Sequence, residues 1–232
     1  MAAAREDRGR RARVIVAATG KGGAGKTTTI ACLAVYWAGK GRRVSLLDAD
    51  PNQTLARWHS RGEVLKDLPL TAEHDSEQLL PAIESLAAHG DVVAVDCAGF
   101  TSQSMLFAIA AADLVLIPTM TDEANIFEAA RTMKLVTNAA ALTRRPIPAQ
   151  IVLCRVKRSA VANHAREQLA KLGLPVLHAQ FNDRVAFQEA SFFGTAPSVL
   201  QPSGAASRDI AEVGEELDGL LWSSATSRRK GS

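Results

Sequence analysis

The residues best placed to do chemistry stand in three short runs. The first is Gly20-Lys21-Gly22-Gly23-Ala24-Gly25-Lys26-Thr27, followed by Thr28. It fits G-x-x-x-x-G-K-[ST] at every fixed position. Its glycines let the backbone turn tightly and point successive N–H groups inward. Those groups, with the positive end of a following helix, cradle phosphate oxygens. Lys26 supplies a point charge to the outer phosphates, and the Thr27 hydroxyl is the kind of oxygen ligand that magnesium prefers. The run from Gly20 to Thr28 is therefore read as a phosphate-binding loop for ATP with Mg2+. Lys21 is a second lysine inside the loop, and one γ-phosphate has little room for two. It either reaches a nucleotide held by another subunit or stands in solvent.

The second run is LLDADPNQT, with Asp48 and Asp50 two residues apart. Strand periodicity points both to one side, and one of them is expected to orient the attacking water. The third is DVVAVD, a hydrophobic run closed by Asp96. An aspartate there holds magnesium directly or through a water. Phosphoryl transfer asks mainly for positioning and charge neutralisation. The five histidines are scattered, and no nucleophile with its base is arranged along the chain.

These runs need elements that bring them together. Val14–Ala18 reads as a buried strand feeding the loop, and Lys26–Gly39 as the helix after it. Further strands are expected at Val44–Leu47, Val92–Val95, Leu114–Ile117 (stopped by Pro118), Ile151–Leu153 and Pro175–Leu177. Helices are expected at Gln53–His59, Ser76–Ala88, Ser102–Ala112, Glu123–Ala141, Val161–Leu172, Asp183–Ala190 and Ser207–Trp222. Pro197–Ala206 reads as a long loop. Strands alternating with helices imply an α/β fold: a doubly wound, mainly parallel sheet with helices on both faces. In such sheets ligands bind at the carboxyl ends of the strands. The loop, Asp48, Asp50 and Asp96 all follow strands, so they should meet on one rim.

Composition sets the outer bounds. The chain has 232 residues, 47% of them hydrophobic and only 5% aromatic, which suits one Ala/Val/Leu-built domain. The expected layout is a disordered basic segment at 1–12, a single ATPase domain at 13–222 and a disordered basic tail at 223–232. The net charge of +3 sits in those ends, and the body between them is net negative. There is no 18-residue apolar run for a membrane span and no apolar stretch for a signal peptide, so a cytoplasmic protein is expected. Cys32, Cys97 and Cys154 are far apart; they read as buried small apolar residues rather than as disulfide, zinc or cluster ligands.

KGGAGKTTT, VSLLDADPNQT and DVVAVDCAG, in this order and spacing, resemble the ParA/MinD group of deviant Walker ATPases. The resemblance covers about Val14 to Leu221 and is nearest to short ParA (ParF-like) partition ATPases. It implies that Lys21 crosses a dimer interface to the partner's nucleotide and that Lys26 and Thr27 form the ordinary Walker A pair. It implies that Asp50 positions the hydrolytic water, that Asp48 supports the magnesium shell and that Asp96 is the Walker B residue. LCRVK resembles the family's strand end near the adenine, which would put Arg155 against the base. Many relatives carry two prolines just after the Walker B aspartate. This chain has Asp96-Cys97-Ala98-Gly99-Phe100 instead, a small-residue turn similar to the ParF-like branch.

The resemblance also implies partners and a place. The expected protein forms an ATP-dependent homodimer that binds DNA without sequence preference and is nucleoid-associated. A small cargo- or centromere-binding protein stimulates its hydrolysis, and plasmid or chromosome partition is the task. Arg155, Lys157, Arg158, Arg184 and Arg208 are the candidates for DNA phosphates. One alternative is the same switch positioning a protein cargo, such as a carboxysome or a chemoreceptor cluster. Another is a MinD-like membrane-associated ATPase. The last helix argues against a membrane, because its polar face carries Asp209, Glu212, Glu215, Glu216 and Asp218, which anionic lipid repels. An iron–sulfur carrier would need paired cysteines, and a small-molecule-activating enzyme would not need Lys21.

Overall fold

The computed structural model describes residues 11–99 and 102–222. The expected terminal segments lie almost wholly outside those residues. Seven strands form one parallel sheet: β1 (Arg13–Ala17), β2 (Val44–Ala49), β3 (Leu70–Ala72), β4 (Val92–Cys97), β5 (Leu114–Thr119), β6 (Ala149–Val156) and β7 (Val176–Asn182). Their spatial order is β3-β2-β4-β1-β5-β6-β7. β1, which feeds the phosphate loop, lies between β4 and β5, so that loop emerges from the middle of the sheet.

The helices are α1 (Lys26–Gly39), α2 (Thr54–Arg61), α3 (Glu63–Lys66), α4 (Ser76–Ala87), α5 (Gln103–Ala111), α6 (Glu123–Thr143), α7 (Ser159–Lys171), α8 (Val185–Phe192), α9 (Pro197–Leu200) and α10 (Ala205–Trp222). Each sheet face carries its own apolar layer. One gathers Leu79 and Ile83 of α4, Met105 and Ile109 of α5, Val136 of α6 and Leu169 of α7. The other gathers Ile30, Leu33 and Trp37 of α1, Leu55 of α2 and Ile210, Val213 and Leu217 of α10. Strands buried on both faces explain why β2, β4 and β5 read as unbroken apolar runs without alternation. Polar side chains mark helix starts: Asp75, Ser102 and Asp122 each accept a backbone N–H from the first turn of α4, α5 and α6.

Four sequence expectations need correction. Pro118 does not stop β5; it lies inside it, opposite Val152. The pairing of β5 with β1 ends at Leu116. The missing N–H of Pro118 points to the side that β1 has already left, so no ladder bond is lost. The stretch after α2 holds α3 and the short strand β3, neither of them expected. β3 is a three-residue sheet edge with no buried residue, too short to print a periodicity. β6 and β7 run several residues past their expected ends, with register shifts between them. Part of the expected loop at 197–206 is the single turn α9, with proline at its start.

The last helix packs on the body of the protein, and Asp209, Glu216 and Asp218 bond to it there. Asp218 accepts from the Trp37 indole (2.9 Å) and the Tyr36 hydroxyl. Glu216 accepts the backbone N–H groups of His178 and Ala179. Asp209 is buried against Arg184 and Asn182. Among the described residues no helix is long and apolar enough to cross a membrane. The three cysteines are free and buried.

Candidate functional site

The rim of the sheet gathers the three runs. Gly25 adopts a left-handed conformation (φ 105°) immediately before α1, and Gly23 does likewise (φ 77°). Both are conformations that side-chain-bearing residues avoid. Gly22, Gly23, Gly25, Lys26, Thr27 and Thr28 line one cavity with Asp50 and Gly99. Ala24 is fully buried beneath the loop. Gly20 backs onto the Glu128 carboxylate, which a Cβ at that position would overlap.

Lys26 is 6% exposed, and its ammonium donates to the Lys21 carbonyl at 3.2 Å. Burial lowers its pKa, and Asp96 opposes that shift. A desolvated lysine at the head of a helix is held ready for an anion. The Thr27 hydroxyl donates to Asp96 Oδ2 at 2.6 Å. Asp96 is fully buried, and its Oδ1 has no hydrogen-bond partner. Burial pushes its pKa up to about 7 against the pull of Thr27 and Lys26. A buried, unsatisfied carboxylate oxygen is costly. It fits a magnesium ion, and the Thr27 hydroxyl beside it completes the start of an all-oxygen set.

Asp48 is the register partner of Asp96 on the neighbouring strand and is 1% exposed. Its environment differs. Oδ1 accepts the Asp50 N–H at 3.1 Å and Oδ2 accepts the Ala56 N–H at 2.9 Å. Asp48 thus ties the Asp50 segment and the first turn of α2 to the sheet. Asp50 itself faces the phosphate-loop cavity and accepts the Asn52 N–H at 2.9 Å.

Lys21 is absent from the walls of that cavity. Its ammonium lies 3.8 Å from Asp122 at the start of α6, with both side chains substantially exposed.

Arg155 breaks the strand geometry of β6 with φ 52°. For a residue other than glycine this is an uncommon backbone state and a mark of functional positions. Its side chain borders three cavities that meet at the rim. One is the phosphate cavity. The next is walled by Trp58, Phe181 and Phe187 beside Asn182, Asp183 and Arg184, a slot of mixed apolar and polar lining. The third is lined by Lys157 and Arg158.

The basic candidates separate by what holds them. Arg158 is exposed ahead of α7. Lys157 reaches Asp183 at 3.7 Å with 79% of its side chain exposed, a pairing that solvent weakens. Arg208 is exposed and donates to the Ser203 carbonyl. Arg184 is held differently: its Nε and Nη2 both donate to buried Asp209, at 2.8 and 2.9 Å. That fork holds α8 to α10 and leaves little of the guanidinium for a phosphate. Sequence reasoning missed Gly99 and Trp58 as lining residues of the phosphate cavity. A Cβ at Gly99 would come 2.9 Å from the Gly22 backbone and 3.3 Å from the Lys26 ammonium. The turn after Asp96 therefore has to carry no side chain there, and the small-residue string DCAG was its signal. Trp58 left no signal, since a lone aromatic in a helix reads as core.

The family model described as VirC1 protein matches residues 12–196. Protein ParA of Rhizobium radiobacter is 31% identical over 185 residues, covering 78% of this chain and 83% of that one. The maintenance of carboxysome distribution protein A of Gloeobacter kilaueensis is 29% identical over 212 residues, covering 89% and 94%. Among solved structures, the septum site-determining protein MinD of Pyrococcus horikoshii OT3, complexed with Mg-ADP, superposes with a TM-score of 0.72 at 19% identity. That match covers 91% of this chain and 98% of that one. The fold expected from the sequence is thus the fold found. By the extent of the family match and the ParA likeness, the chain belongs to the VirC1 family, within the ParA/MinD group of deviant Walker ATPases.

Proposed function

We propose that this protein is an ATP-driven partition switch that binds MgATP, hydrolyses it to ADP and phosphate, and holds non-specific DNA only in its ATP-bound dimer. The observation that carries the reading is the pairing of a complete phosphate cradle with a lysine that avoids it. Lys26, Thr27 and Asp96 meet at one point, whereas Lys21 of the same loop stands outside against Asp122. A lysine unused by its own site is available to a partner's.

In this reading the loop N–H groups and Lys26 bind the phosphates. Thr27 and Asp96 hold Mg2+, which neutralises charge on the phosphate oxygens. Asp50, steadied by Asp48, orients the water, and Arg155 flanks the base. Lys21 of each protomer reaches the other's nucleotide. Lys157, Arg158 and Arg208 then meet DNA phosphates, and a small cargo-bound protein stimulates hydrolysis and so releases the dimer. The likeness to ParA favours a DNA cargo. The likeness to the carboxysome-distribution protein, over more of both chains, keeps a protein cargo on the nucleoid as the second reading.

The test is binding to random-sequence duplex DNA across a salt series, with ATP, ADP or no nucleotide, for wild type and Lys21→Ala. Wild type should bind only with ATP, and log affinity should fall linearly with log salt. Lys21→Ala should stay monomeric and unbound. DNA binding that is indifferent to salt or to nucleotide would rule out the switch.

A further inference from the structure

We propose that Trp58 is the nucleoside-gripping residue of this chain, stacking on the bound nucleoside and so tying nucleotide occupancy to the segment that carries Asp50. The inference rests on the ATP reading above and goes beyond it, since neither the loop motif nor the paired aspartates points to an aromatic residue on α2.

Four residues border both the phosphate cavity and the slot beside it: Gly25, Thr28, Trp58 and Arg155. The first two belong to the phosphate loop. Trp58 and Arg155 are therefore the two side chains standing where a nucleotide passes from phosphates to base. Trp58 is partly buried against the apolar layer under α1, which leaves part of its indole open to the rim. Phe181 and Phe187, which pack edge to face at 5.7 Å, line the same slot. A flat heteroaromatic ring stacks on an indole face, and stacking needs no hydrogen-bond code.

The backbone around Trp58 is fixed at both ends of its helix. At the start, the Ala56 N–H is held by Asp48. At the end, the Trp58 carbonyl accepts the Gly62 N–H at 3.0 Å and lies against Gly194, in the loop after α8. Gly194 has φ 60°, and a Cβ there would overlap the Trp58 carbonyl; one at Gly62 would overlap the Gly194 carbonyl. Backbone therefore touches backbone at this crossing. It ties α2 and Trp58 to the end of α8, which carries Phe187 and Ser191 of the same slot. A ring seated in the slot is thus felt along α2, back to Asp48 and Asp50.

The experiment measures, by calorimetry with Mg2+ present, the binding of ATP and of inorganic tripolyphosphate to wild type, Trp58→Phe and Trp58→Ala. Tripolyphosphate probes the phosphate cradle without a nucleoside. Trp58→Ala should lose ATP affinity by about tenfold or more, the scale of one aromatic–base stack. It should bind tripolyphosphate as wild type does, and Trp58→Phe should recover most of the ATP affinity. Unchanged ATP affinity in Trp58→Ala overturns the proposal. Equal weakening of both ligands overturns it too, because Trp58 would then act through the cradle or the fold. Wild type that binds neither ligand removes the ATP reading itself, a failure distinct from the other two.

Discussion

Aspartates stand at both ends of the same parallel sheet, and the two ends use them differently. At the amino end, Asp91 and Asp113 each precede a strand. Asp91 takes the Arg43 backbone N–H at 2.8 Å and its guanidinium at 2.7 Å. Asp113 takes the Val14 N–H at 2.9 Å, with Arg13 at 3.7 Å. Both are fastened across to a neighbouring strand. At the carboxyl end, Asp48 is fastened in the same way, by two backbone N–H groups. Asp96, its register partner, has only the Thr27 hydroxyl on one oxygen, and its other oxygen is buried with none. The residue type is shared, so the function lies in whether the protein's own donors exhaust the oxygens. Three of these four carboxylates accept backbone N–H groups, and one keeps a buried oxygen without a partner.

The sharpest way to break this comparison is Asp96→Asn. It removes the charge meant for the metal while keeping an acceptor for Thr27. Magnesium-dependent hydrolysis should fall by about a hundredfold or more, since metal-assisted charge neutralisation contributes several kcal/mol. The melting temperature of the metal-free protein should not fall, because an unsatisfied buried charge is relieved. A steady-state ATPase assay and a thermal melt read the two halves. A variant that loses stability and keeps activity would place Asp96 with the fasteners.

Asp48→Ala should show the reverse pattern, with a smaller effect. Two backbone N–H groups lose their acceptor, one beside Asp50 and one in the first turn of α2. Leaving them unsatisfied costs about 2 kcal/mol, or several degrees in the melting temperature. Hydrolysis should fall through loosening of the Asp50 segment, and tripolyphosphate binding should hold. Magnesium affinity lost as fully as in Asp96→Asn would make Asp48 a direct ligand and erase the distinction between the two partners.

How much of this was legible depends on what each part needs from its neighbours. The phosphate loop, β1, β2, β4 and the three aspartates are local: a glycine pattern or an apolar run ending in a charge is complete within ten residues. The doubly wound sheet followed from alternation of such runs. β3 was not legible, because a short half-exposed edge strand exists only by pairing with β2. Pro118 misled because its tolerance depends on where β1 ends, and β1 lies at the far side of three intervening strands in sequence. Arg184 read as a free cation, and only the fold brings Asp209 to it. Asp48 and Asp96 look alike in sequence, since the donors that separate them come from Ala56 and Thr27. Trp58 acquires its place from a crossing of two glycines that no periodicity announces.

The smallest effect belongs to the amino end, and it separates a fold-holding carboxylate from a ligand-holding one by pH. The Arg43 guanidinium, hydrogen-bonded to Asp91, holds that carboxyl below its ordinary value of 3.8. A carboxyl depressed in the folded state adds stability above its unfolded pKa and loses it as pH falls through the folded one. The contribution of Asp91 should therefore be constant from neutral pH down to about 4 and fade below that. Thermal melts of wild type and Asp91→Asn across that range should lie a small, fixed distance apart at higher pH. They should converge at the acid end, with nucleotide binding the same in both. The Arg43 side chain is mostly exposed, so the gap at neutral pH should be small and should shrink with added salt. Curves that stay parallel down to the acid limit would mean that the Arg43 contact contributes nothing. The amino-end aspartate would then hold its strand through the backbone N–H alone, which a neutral side chain accepts equally well.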